Sequence, residues 1–144
     1  MHKLVSGMSE MKPYLLDTNM CIYLIRKKPP EVLQRFRQIQ IQQLHISTIS
    51  VFELYYGIEK NNSHARNLKA LEHFLQPLTV VDFCQEAAKQ AAVIRATLQN
   101  KGLPIGAYDI QIAALALTHR MTLLTNNIRE FERVDGILLE NWVA

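Results

Sequence analysis

Three acidic residues, Asp17, Glu53 and Asp109, stand in apolar stretches of the sequence where carboxylates are unexpected. Asp17 follows three apolar residues, and Glu53 and Asp109 lie within or directly before longer apolar runs. Burying an unpaired carboxylate is costly, so each acid needs a partner. Helix capping would satisfy each acid singly. If the three acids share one site, their mutual repulsion is best relieved by a divalent cation, and oxygen ligands favour Mg²⁺ or Mn²⁺ over zinc.

The elements that would position these acids alternate between short apolar strands and helical patterns. Strands are predicted at residues 14–16, 45–49, 79–81, 122–124 and 137–139, and helices at residues 20–25, 31–41, 51–60, 65–75, 85–100 and 108–119. This alternation predicts an α/β fold, a central parallel sheet flanked by helices in three layers. Ligands bind such sheets beyond the carboxyl ends of the strands. Asp17 and Asn127 follow strands, and Glu53 and Asp109 lie near helix starts that can share that edge.

The overall composition bounds the class of protein. The chain has 144 residues, 16 basic and 13 acidic side chains and a net charge of +3, which is compatible with a polyanionic partner. We expect one domain over residues 11–144, preceded by an extension at residues 1–10, and Met11 is an alternative start. No secretory signal or membrane-spanning run is apparent, so a cytoplasmic protein is expected. Cys21 and Cys84 are expected to be reduced thiols without a metal.

Four segments, in order along the chain, resemble the motifs of VapC-type toxins of the PIN-domain ribonuclease family. They are residues 15–25, 46–57, 104–113 and 124–131, and residues 139–142 also fit. The resemblance implies a PIN-like fold and an Mg²⁺- or Mn²⁺-dependent endoribonuclease that cleaves structured RNA such as tRNA. It also implies a homodimer and a cognate VapB-like antitoxin, with operator DNA bound only through the antitoxin. By matching position, Asp17, Glu53 and Asp109 would be the catalytic, metal-binding acids.

The fourth motif departs from the family pattern, because Asn127 stands where the family often has another acid. Asn127 brings no charge, which puts a second metal ion in doubt. Glu130 either replaces the missing acid or serves only as a helix cap or a surface ion-pair partner. Several polar residues are predicted either to support the site or only to cap elements and face solvent: Thr18, Asn19, Thr125, Asn127 and Arg129.

Two other functions are compatible with parts of the pattern. Phosphoryl transfer to Asp17, as in receiver or haloacid-dehalogenase-like domains, suits an aspartate at a strand end, but the residue two positions on is Asn19 and not an acid. A catalytically weak module that acts only through its antitoxin partner is the non-enzymatic alternative. No glycine-rich loop follows a strand, which disfavours nucleotide-binding folds. Tyr55 and Tyr56 are predicted to serve the core or an interface and not to stack on bases.

Overall fold

The computed structural model describes residues 11–61 and 64–143, so the predicted extension at residues 1–10 lies outside the described residues. Five strands, seven α-helices and one 3₁₀ helix follow one another along this part of the chain. In order they are β1 (Tyr14–Leu16), α1 (Thr18–Arg26), α2 (Pro30–Arg37), the 3₁₀ helix (Ile41–Gln43), β2 (Leu44–Ser47), α3 (Thr48–Glu59), α4 (His64–Leu75), β3 (Thr79–Val81), α5 (Gln85–Asn100), α6 (Ala107–Thr118), β4 (Thr122–Leu124), α7 (Ile128–Phe131) and β5 (Leu138–Glu140).

The strands form one sheet in the order β3-β2-β1-β4-β5, and every neighbouring pair is parallel. β1 is central: Leu16 pairs with Ile46 of β2 on one side and with Leu124 of β4 on the other. The carboxyl ends of the three central strands therefore meet at one edge, and Asp17 directly follows β1 there. The predicted parallel α/β architecture is confirmed.

Both faces of the sheet are covered by helices, which gives three layers. Alternate side chains of β1 enter different cores: Leu15 packs in a cluster with residues of α5 and α6, whereas Tyr14 and Leu16 pack with residues of α1, α3 and α4. A strand buried on both faces reads as a continuous apolar run, which is why these short strands were recognisable. No helix in residues 11–61 and 64–143 combines the length and apolar content needed to span a bilayer.

The boundary between β2 and α3 differs from the prediction. The strand ends at Ser47 and not at Ile49, and the helix begins at Thr48. Ser47, not Ser50, caps the helix, since its hydroxyl accepts a hydrogen bond of 3.0 Å from the Ser50 backbone N–H. The predicted bounds were wrong here because Ser47 and Ser50 both suit an N-cap, and only the tertiary path of the chain decides between them.

Candidate metal centre

Asp17 is held at the carboxyl end of β1. Its backbone N–H donates to the Leu124 carbonyl at 3.1 Å, and its Oδ1 accepts from the Met20 backbone N–H at 2.8 Å, capping α1. A further hydrogen bond joins its carboxylate to Thr125. Asp17 is only 5% exposed. Burial raises the pKa of Asp17, and repulsion from Glu53 adds to the increase, whereas its hydrogen bonds lower it. The carboxyl group thus caps a helix and also faces a second acid.

Glu53 lies in the second turn of α3 and is positioned by hydroxyl groups. Thr18 Oγ1 donates a hydrogen bond of 2.7 Å to Glu53 Oε1. The same hydroxyl is 2.9 Å from Ser50 Oγ, and Ser50 is fully buried. The polar residue after Asp17 therefore connects α1 to the acid on α3. Thr18 was predicted either to cap a helix or to support the site, and its hydrogen bond places it beside Glu53.

Asp109 lies in the first turn of α6 and is half-buried. Burial, followed by repulsion from Glu130 and a hydrogen bond with it, raises the pKa of Asp109 to about 7, and the charges of Asp17 and Glu53 contribute further. These influences show that the three predicted acids lie close enough to repel one another, together with Glu130. Carboxylates that crowd in this way bind cations readily, because a cation removes the repulsion.

Glu130 is held as a fourth acid beside Asp109. Its Oε1 accepts from the Gly106 backbone N–H at 3.1 Å, and its Oε2 accepts from Asn127 Nδ2 at 2.5 Å. Asn127 therefore orients the Glu130 carboxylate. Gly106 also lies next to Asp109, since a Cβ at this position would stand 3.4 Å from Asp109 Oδ2, at van der Waals contact.

The remaining predicted supporting residues divide between the site and the surface. Thr125 is fully buried, bonds Asp17 and accepts from the Asn127 backbone N–H at 2.9 Å. Asn19 is exposed and lines the groove described below. Arg129 is exposed and makes no hydrogen bond or ion pair with any described residue, so the structure does not tie it to the acids.

The donors suit a hard divalent ion, but they are not arranged around one point in advance. Within residues 11–61 and 64–143, no group of three acidic, histidine or cysteine side chains stands ready to ligate a single metal. Glu53 is hydrogen-bonded to Thr18, and Glu130 is hydrogen-bonded to Asn127 and Gly106. The chemistry of the donors fits Mg²⁺ or Mn²⁺, since all are oxygens and neighbouring carboxylate charges help to raise the pKa values of Asp17 and Asp109.

A groove of about 770 Å³ lies between α1, α3 and α4, and Glu53 is the member of the acidic group that lines it. Thr18 and Glu53 form its inner end, and apolar residues such as Ile22 and Leu71 form its floor. Phe52, Tyr56 and Tyr108 stand along its rim and are about half-exposed. Tyr56 is therefore not a core residue.

Comparison with known proteins identifies the family. The model of the PIN domain matches residues 14–137. "Ribonuclease VapC2" of Haemophilus influenzae is 44% identical over 133 residues, which is 92% of this chain and 100% of that protein. The "tRNA(fMet)-specific endonuclease VapC" of Salmonella typhimurium is 42% identical over 132 residues, 92% and 99% of the two chains. In the crystal structure of DNA-bound VapBC from the same organism, a chain 42% identical superposes with a TM-score of 0.86, covering 92% of this chain and 99% of that one. The chain belongs to the PIN domain family, within its VapC group.

Proposed function

We propose that this chain is a divalent-metal-dependent endoribonuclease and the toxin of a VapBC-like toxin–antitoxin pair. The observation that carries the proposal is the convergence of Asp17, Glu53 and Asp109, with Glu130, at the carboxyl edge of the sheet. The relatives named above, described as ribonucleases, support the same activity. Membership in the PIN family favours this chemistry over phosphoryl transfer to Asp17.

Asp17, Glu53 and Asp109 would hold Mg²⁺ or Mn²⁺, and Glu130 supplies a fourth carboxylate next to Asp109. When bound, the ion supplies an activated water and neutralises charge on the phosphate in an in-line hydrolysis that leaves a 5′-phosphate and a 3′-hydroxyl. The protein's part is positioning. Thr18 holds Glu53, and Thr125 holds Asp17, so hydrogen bonds restrain both carboxylates at the carboxyl edge of the sheet.

The substrate we propose is a structured RNA, with tRNA as the first candidate because one relative is named a tRNA(fMet)-specific endonuclease. Asn19 lies at the groove beside the acids and can contact the backbone of the RNA. Arg129, exposed and without an ion-pair partner among the described residues, is available to bind a phosphate. Selectivity would come from RNA shape and unstacked loop bases.

The partner we propose is a VapB-like antitoxin that lies in the groove and places an arginine among the acids in place of the metal. A basic side chain relieves the same repulsion that a metal relieves, and a guanidinium pairs with carboxylates in a bidentate manner. The superposed Salmonella structure is that of VapBC bound to DNA. For this chain we propose that operator DNA is reached through the antitoxin. We also propose that the chain forms a homodimer in the cytoplasm.

The decisive experiment uses the purified chain, free of antitoxin, with a tRNA pool in Mg²⁺ or Mn²⁺. We expect cleavage that EDTA abolishes and that Asp17→Asn reduces at least about a hundredfold. Asp135→Asn is the matched control, because Asp135 is an exposed aspartate whose only ion pair with a described residue, Lys101, is 3.9 Å long. Undiminished cleavage by Asp17→Asn, or cleavage in EDTA, would refute the metal–acid assignment.

The catalytically weak binding module is the alternative, and a test in cells separates it from the nuclease. Expression of the wild-type chain is expected to arrest growth, and Asp109→Ala is expected to remove the arrest while antitoxin binding persists. Arrest that survives Asp109→Ala would favour the binding module.

A further inference from the structure

Three aromatic side chains form an exposed shelf beside the acids: Phe52, Tyr56 and Tyr108. They are 52%, 58% and 45% exposed, respectively. The rings of Phe52 and Tyr56 are nearly parallel, 19° apart with centroids at 6.4 Å, and the ring of Tyr108 meets Phe52 edge-on with centroids at 5.8 Å. Leaving three large rings in contact with water is unfavourable, so a surface of this kind marks a binding site.

The aromatic shelf is continuous with the proposed catalytic site. Phe52 directly precedes Glu53, and Tyr108 directly precedes Asp109. The shelf and Glu53 line the same groove. A ligand that reaches the acids through this groove therefore passes the rings.

The charges along the groove suit a polyanion. Arg26 and Lys60 line it, and Glu53, at the catalytic end, is its one acidic residue within the described part of the chain. Lys60 Nζ lies 5.1 Å from the centroid of the Tyr56 ring, so a positive charge stands at the outer end of the shelf. Proteins that bind single-stranded nucleic acid combine aromatic rings, which stack on the bases, with basic side chains, which contact the phosphates.

We propose that the aromatic shelf of Phe52, Tyr56 and Tyr108 stacks on unpaired RNA bases next to the scissile phosphate, while Lys60 and Arg26 hold the backbone. This inference rests on the proposed ribonuclease function and adds a substrate-binding residue set to it. Stacking is tolerant of base identity. The shelf therefore selects for unpaired nucleotides, such as those of a loop, and not for a particular sequence.

The rim and the floor of the groove have different chemistry. We therefore expect RNA bases to bind at the rim and a protein partner to bind on the floor. The floor is aliphatic, with Ile22, Ile25 and Leu71 among its residues, and suits an apolar peptide face. The rings stand at the rim, where each is about half-exposed and a base can reach it from solvent. Shelf variants are therefore expected to weaken RNA binding much more than antitoxin binding.

The first test is photocrosslinking of the full chain to a short single-stranded RNA that carries one 5-iodouridine, in EDTA so that no cleavage occurs. We expect crosslinks at the shelf, located by mass spectrometry, and their loss at Tyr108 in Tyr108→Leu but not in Tyr108→Phe. Crosslinks confined to residues outside the shelf would overturn the proposal. This test does not depend on catalysis, so it separates failure of the shelf from failure of the ribonuclease function.

The second test is the cleavage kinetics of a purified tRNA that the wild-type chain cleaves in Mg²⁺. Phe52→Leu and Tyr108→Leu are expected to raise KM about tenfold or more with little change in kcat, because stacking contributes to substrate binding and not to the reacting centre. Tyr108→Phe is expected to retain the wild-type KM, and Tyr55→Leu is the control on the same helix outside the groove. Unchanged KM in both leucine variants, or a loss of antitoxin affinity alone, would overturn the proposal.

Discussion

Neutralising Asp109 should stabilise the metal-free protein while it abolishes catalysis. The folded chain raises the pKa of Asp109 from 3.8 to about 7. Because the folded-state pKa lies above the unfolded one, the ionised carboxylate opposes folding: the cost is absent below about pH 4, where Asp109 is protonated in both states, and grows as the pH rises towards 7. Asn in place of Asp109 imitates the protonated form, and its amide can still donate to Glu130.

The expected gain in stability of Asp109→Asn follows from the size of the pKa shift of Asp109. The full shift would correspond to about 4 kcal/mol. Asp109 is only half-buried, so solvent screening reduces the gain expected for Asp109→Asn to about 1–2 kcal/mol near pH 8. For a domain of this length that is an increase in melting temperature of roughly 3–6 °C. If Asp109 served only to cap α6, Asp109→Asn would instead lower the melting temperature, because the loss of a helix cap costs stability.

The assay is thermal unfolding of both proteins in EDTA from about pH 4 to about pH 8. The difference in melting temperature between the wild-type chain and Asp109→Asn should vanish at the acidic end of this range and grow as the pH rises. Adding Mg²⁺ should raise the melting temperature of the wild-type chain and leave that of Asp109→Asn nearly unchanged. Asp135→Asn, at a side chain that is 86% exposed, should show neither effect. Equal or lower stability of Asp109→Asn near pH 8 would refute the electrostatic argument.

Three other outcomes follow from the same contacts. Thr18→Val removes the 2.7 Å hydrogen bond to Glu53 and should lower cleavage about 10- to 100-fold in a kinetic assay, whereas Thr18→Ser should retain activity. The Mg²⁺ concentration that gives half-maximal cleavage should rise as the pH falls below about 7, because protons compete with the metal for Asp109; a flat titration would contradict this. Glu140→Gln loses the charge of its ion pairs with Lys12 and Arg35 and should lower the free energy of unfolding in urea by about 0.5–1 kcal/mol, with cleavage unchanged.

Much of the fold could be predicted because the central strand β1 and its neighbour β4 are short, largely apolar runs buried on both faces. β1, β3, β4 and α5 have the predicted bounds. The other predicted elements begin or end one to four residues away, since capping serines and terminal turns compete locally. The four-residue helix α7 was missed, because so short a segment carries no periodic signal.

The site was partly predictable for a related reason. Asp17 and Asp109 stand at element boundaries that the apolar pattern marks, so the parallel topology brings them to one edge. Glu130 was left undecided, because its place depends on the Gly106 backbone N–H and on Asn127 across the fold, although the spacing of three residues between Asn127 and Glu130 was a usable signal. The exposure of Tyr56 could not be predicted, because a helical pattern does not distinguish a core face from a groove wall.

The repulsion among the acids also constrains how the protein can be controlled. Asp17 and Asp109 have raised pKa values because burial and their acidic neighbours disfavour their charges. Any cation that enters this space lowers the same electrostatic cost, so we expect Mg²⁺ and the proposed antitoxin arginine to compete for the acids and to exclude each other. The affinity of the antitoxin should then fall as Mg²⁺ rises, and that dependence should disappear in Asp109→Asn, whereas Asp135→Asn should keep it. An affinity independent of Mg²⁺ in the wild-type chain would mean that the two cations occupy separate places.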